Sequence, residues 1–123
     1  MNYLLQIKAF YDRLELNPLN SSEIALWHAL MSINNKAAWS NTFTVASSVL
    51  CQRSGIKDTS KSSNFYKARN ALTQQGFITW ESRKGNQSAK YSITKLYGNL
   101  STYSVGNGVD SGVDNGVDSG VDN

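Results

Sequence analysis

The residues best equipped for chemistry in this 123-residue chain lie between positions 53 and 97. Lys57, Lys61, Lys67, Lys84, Lys90 and Lys95 join Arg53, Arg69 and Arg83 there, against only Asp58 and Glu81, so nine bases over two acids leave a net +7. Residues 1–52 carry three bases and three acids and are neutral. A compact basic block suits a polyanion, most simply duplex DNA. Within it Ser63, Tyr66, Lys67, Asn70 and Gln74 share one side at helical spacing. A helix fits the major groove, where Asn bonds adenine bidentately and Lys reaches guanine acceptors. Lys57, Lys61 and Ser62 precede this face, and Arg69 sits four residues after Phe65, at the edge of the stripe expected to be buried. Arg69 either holds a phosphate or covers the core with its aliphatic stem. The second basic element is Arg83-Lys84-Gly85-Asn86-Gln87, followed by Lys90. A tip with two cations and side-chain amides can lie along the DNA backbone or enter the minor groove. Both elements also have an ordinary reading, as a solvated helix face and a soluble turn.

Other reactive groups are sparse. His28, the single histidine, falls mid-helix among apolar residues and reads as a core or boundary side chain. Cys51, the single cysteine, has no partner at metal-ligand spacing and reads as a small buried residue; with no internal disulfide available, a reducing cytosol fits. Trp27, Trp39 and Trp80 read as core or core-edge residues, with Trp39 in a loop that could serve a protein contact. No Ser-His-Asp grouping, phosphate-binding glycine loop or carboxylate pair is visible, so neither an enzyme nor a cofactor or metal site is expected.

Those chemical groups need a scaffold. Tyr3, Leu4, Ile7, Phe10, Tyr11 and Leu14 predict an amphipathic helix over about residues 2–15, ended by Asn17-Pro18. Asn20 followed by Glu23 reads as a capping box that starts a helix running to about Asn34-Asn35. Thr42-Phe43-Thr44 suits a short strand, after which Thr44 could cap a helix over 45–54 with Val45, Val49 and Leu50 facing inward. Gly55 supplies the left-handed stop, Ile56 tucks back, and Lys57 to Ser60 make a turn. A second helix is expected from Lys61 or Ser62 to Gln75, with Phe65, Ala68 and Leu72 buried. Alternating runs at 77–82 and 89–96 around a glycine-containing turn predict a hairpin. The expected fold is therefore mainly α with a small β-hairpin (α+β): a winged helix-turn-helix with additional N-terminal helices.

That domain is expected over residues 1–100. From Val105 the unit Gly-Val-Asp-Ser/Asn repeats four times from Gly108, one apolar side chain per unit. Such a segment cannot offset its ordering entropy, so 101–123 is expected to be a flexible tail. Its four aspartates lower the total to +3 and mask the basic block. Four acids at this spacing are too close for known calcium-loop geometries. No apolar run of about 18 residues exists, so no membrane span is expected, and residues 1–16 lack the pattern of a signal peptide.

Several separated blocks agree in order with one known family. Ile24 to Met31, Phe43-Thr44-Val45, Phe65 to Leu72, Gly76-Phe77-Ile78 and Gly85 to Tyr91 resemble the N-terminal winged-helix domain of DnaD-like, phage-type replisome organisers. The likeness covers about residues 1–97. It implies a role in DNA replication initiation or primosome assembly, in bacterial, phage or mobile-element cytoplasm. It also implies origin repeats as DNA partner, homodimers or higher oligomers, and helicase-loading proteins met through a C-terminal domain. That domain is missing here, so a fragment or a short version is expected. The turn before Phe65 is about four residues longer than in the family. Alternatives on the same scaffold are an oligomerisation or protein-docking module and a winged-helix transcriptional regulator. The eight-residue unit starting at Gly108 and again at Gly116 also suggests direct repeats in the coding DNA as a binding site.

Overall fold

The computed structural model describes residues 1–57, 64–85 and 87–98. The predicted turn at Lys57 to Ser60 lies mostly outside that range, as do the expected start of the helix that follows it, Lys61, Ser62, Ser63, Asn86 and the tail. Among the described residues, four helices and three short strands follow in the order α1 (Tyr3–Leu14), α2 (Ser21–Lys36), β1 (Phe43–Thr44), α3 (Ser47–Ser54), α4 (Asn64–Gln74), β2 (Ile78–Glu81) and β3 (Lys90–Ile93). The strands form one antiparallel sheet in the order β1-β3-β2. The fold is mainly α with this small sheet, an α+β class.

Helix α2 is the centre of the molecule. Its capping box is complete: Asn20 Oδ1 accepts from the Glu23 amide, and Glu23 Oε1 accepts from the Asn20 amide, both at 2.9 Å. Helices α3 and α4 both pack on α2, which buries Leu26, Trp27, Ala29, Leu30 and Met31. Burying each such large side chain stabilises by roughly 1.5–3 kcal/mol. Helix α1 joins this core through Phe10, whose ring stacks on Trp27 at 3.8 Å and meets Phe77 edge-on at 5.0 Å. Gln6, fully buried, fixes the same helix to the chain after β3. Its amide donates to the Thr94 carbonyl at 2.8 Å and its carbonyl accepts from the Leu96 amide at 2.9 Å.

Two local expectations are corrected. Thr44 does not cap α3, because it is drawn into β1 opposite Lys90; Ala46 takes the cap position and contributes no side-chain hydrogen bond. Val45 is thereby part of the extended lead-in; it and Leu50 are buried as expected, whereas Val49 is exposed and Cys51 is buried beside Leu50. Trp39 is a half-buried core-edge residue, as expected. It lies edge-on to Tyr3 at 5.4 Å, with its backbone and that of Ala38 in the left-handed region. The buried Asn34 holds this loop, donating from its side chain to the Ser40 carbonyl at 3.0 Å. Gly55 and Gly76, with φ of 79° and 83°, end α3 and α4 where the sequence placed the stops.

Candidate nucleic-acid interface

Helix α4 divides its circumference cleanly. Phe65, Ala68 and Leu72 face the core, while Tyr66, Lys67, Asn70 and Gln74 are exposed and fall within about 100° of arc. No acidic residue occurs in α4, so this face carries donors and one cation without a competing carboxylate of its own. The hairpin that follows is tied across its tip, where Arg83 Nε donates to the Ser88 carbonyl at 2.6 Å. Lys84 and Gln87 are exposed there. Lys57 is exposed beyond the α3 stop, next to the buried Ile56.

Two of the candidate contact residues are not exposed. Arg69 lies at the edge of the buried stripe, as its spacing from Phe65 predicts, and is folded inward with only 7 % of its surface accessible. Its guanidinium lies over the Trp80 ring, 3.6 Å from the centroid, and within 5.1 Å of the Phe65 and Tyr66 centroids. Its Nη1 donates to the Tyr91 hydroxyl at 3.1 Å, while Nε is buried without a partner among the described residues. The physical reason is the aromatic box: the three rings offset part of the cost of taking the cation out of water. Lys90, in turn, is partly buried in β3 directly opposite Glu81, a register that offsets its charge.

Tyr91 reports this environment. Burial pushes its hydroxyl pKa up, and the Arg69 cation beside it opposes that shift in part. It therefore stays a neutral phenol at physiological pH and serves as an acceptor for Arg69.

Between the α3 start, α4 and the hairpin lies a cleft of about 330 Å³. Ser47, Tyr66, Arg69, Trp80, Gln87 and Ser88 contribute to its lining. Of these, Ser47 is not singled out by the sequence, and Trp80 and Ser88 read there only as a core-edge residue and part of the hairpin turn, because they meet α4 only through the packing of distant segments. Elsewhere, among the described residues, no group of three His, Cys, Asp or Glu is placed to hold a metal, and no helix is long and apolar enough to cross a membrane. His28 is a boundary residue as expected, its Nε2 lying 3.0 Å from the Tyr11 hydroxyl. Cys51 is buried.

Comparison with protein-family models, curated proteins and solved structures finds no match to this chain.

Proposed function

We propose that this chain is a winged helix-turn-helix module that binds double-stranded DNA, in the service of replication initiation as in DnaD-like replisome organisers. In this reading it works as a binding module in the cytoplasm and not as an enzyme. The observation that carries the reading is the exposed α4 face of Tyr66, Lys67, Asn70 and Gln74 beside a cationic hairpin tip. The order helix, helix, hairpin with a β1-β3-β2 sheet supports it as the architecture that presents such a face. With α4 in the major groove, Asn70 bonds an adenine edge and Lys67 a guanine edge. Lys84 and the free end of Arg83 lie on the backbone, and Lys57 adds a further phosphate contact.

The test is a duplex selected from the DNA of the source element, followed by fluorescence anisotropy. Lys67→Ala combined with Asn70→Ala should weaken the selected duplex at least tenfold, each base contact being worth about 1–3 kcal/mol. An unchanged affinity in the double variant would falsify the groove assignment.

A second reading, self-assembly or docking on a partner protein, rests on a different surface. Leu4 and Leu16 are 73 % and 81 % exposed along and just beyond α1, with Leu5 and Tyr11 also open. Exposed apolar side chains gathered on one element mark interaction surfaces more often than scattered ones do.

A further inference from the structure

We propose that the cleft between the α3 start and the β2–β3 hairpin seats one phosphate group, held by Arg69 and the first amides of α3. The seat itself follows from the local geometry. Only the source of the phosphate, the backbone of bound DNA, rests on the DNA-binding reading.

The first observation is an incompletely satisfied buried cation. A guanidinium has five N–H donors and cannot be neutralised by losing a proton. Arg69 is more than nine-tenths buried, yet among the described residues the single hydrogen bond of its guanidinium is the one to Tyr91. Its Nε is buried with no acceptor, and no carboxylate pairs with it among those residues. The Trp80 ring offsets part of the cost of burying that charge but supplies no hydrogen-bond acceptor in the guanidinium plane. An unpaired buried charge is strongly unfavourable, and an anion in the plane of the fork is its natural complement.

The second observation is the helix start across the cleft. Helix α3 spans eight residues, its cap residue Ala46 gives no side-chain bond, and its first turn holds no acid. The first amides of a helix need acceptors, and their partial positive charge favours an anion. Ser47, at the first helical position, lines the cleft together with Arg69. Tyr66, Gln87 and Ser88 line the same space and carry neutral donor groups, while no described Asp or Glu lines it. A planar guanidinium, a helix start and hydroxyls around one opening suit a tetrahedral oxyanion. The volume of about 330 Å³ exceeds one phosphate and leaves room for its ester neighbours.

Tyr66 decides the source. It belongs both to the cleft and to the exposed α4 face, one turn from Asn70. A duplex that receives α4 in its major groove brings the flanking strand past this opening. The phosphate of that strand then completes Arg69.

The test uses the full chain labelled with ¹⁵N and titrated with inorganic phosphate against chloride at equal ionic strength. The Arg69 Nε–H and the Ser47 amide resonances should shift together and saturate. Because Arg69 variants could lose the fold, the cleft is filled from two walls instead, by Ser47→Asp and by Ser88→Asp. Each should keep the melting temperature and abolish the phosphate shifts. With duplex DNA, both variants should show a slope of log K against log salt shallower by about one, the loss of one phosphate contact. No saturable shift in the unaltered chain, or shifts that persist in both variants, overturns the seat. Phosphate shifts with an unchanged duplex slope overturn the backbone source. Phosphate shifts in a chain that binds no duplex support the seat while the DNA-binding reading fails.

Discussion

His28 sits half-buried against Tyr11, and burial pushes its imidazole pKa below the ordinary value of 6.5. In the unfolded chain the ring protonates first as pH falls, so the unfolded state binds more protons and gains stability relative to the fold. Stability from this group is complete above the ordinary value and declines as pH drops through it towards the lowered folded one. Thermal melts at pH 7.5 and 5.5 should therefore differ, and His28→Gln should shrink that difference. An equal difference in the variant would remove His28 as the cause. Arg69 marks the boundary of what single residues reveal in sequence. Its place at the edge of the Phe65 stripe was legible, and both of its possible roles followed from that place. The choice between them was not legible, because Trp80 and Tyr91 come from strands that only the folded sheet brings over α4. The exposed Lys67, Asn70 and Gln74 needed nothing beyond helical spacing to be found.

Elements whose signals are local came out as read. The Asn20–Glu23 box and the Gly55 and Gly76 stops work through residues within one turn of each other. Asn20→Ala removes one reciprocal bond and leaves the Glu23 amide without its acceptor. It should cost about 1 kcal/mol and lower the melting temperature by roughly 4–8 °C in a domain of this size. A loss within error would mean that packing of α2, and not its cap, fixes where the helix starts. Helix α3 behaved in the opposite way. Thr44 is a competent cap in isolation, but the β1–β3 pairing takes it, and the Val45 amide donates to the Ala89 carbonyl at 3.4 Å. A two-residue strand thus shifts a helix start and leaves Val49, of the expected inward residues, exposed. It also leaves that start without a side-chain cap, which is the condition the proposed phosphate seat depends on.

On the scale of the whole molecule, charge and apolar exposure occupy different parts of the chain. The bases concentrate in 53–97, while the exposed leucines lie at Leu4, Leu5 and Leu16. DNA binding and self-assembly are therefore separable by mutation. If α1 mediates assembly, light scattering at tens of micromolar should give a mass above the monomer. Leu4→Glu with Leu16→Glu should then return it to the monomer without changing duplex affinity. A strictly monomeric unaltered chain would count against assembly. Helix α1 has one more property. Gln6 bonds the chain at Thr94 and Leu96, and the Asn2 amide meets the Tyr97 hydroxyl. The two ends of the domain thus lie side by side, although 95 residues separate Asn2 from Tyr97. Chains with adjoining ends accept a rearranged order of segments when the new opening is exposed. A circular permutant that begins at Asn20, links Gly98 to Met1 through a few glycines and serines, and finishes with α1 should keep the native melting temperature within a few degrees. In that molecule the first helix would be made last, and its docking would rest on contacts alone instead of on the Asn17-Pro18 connection.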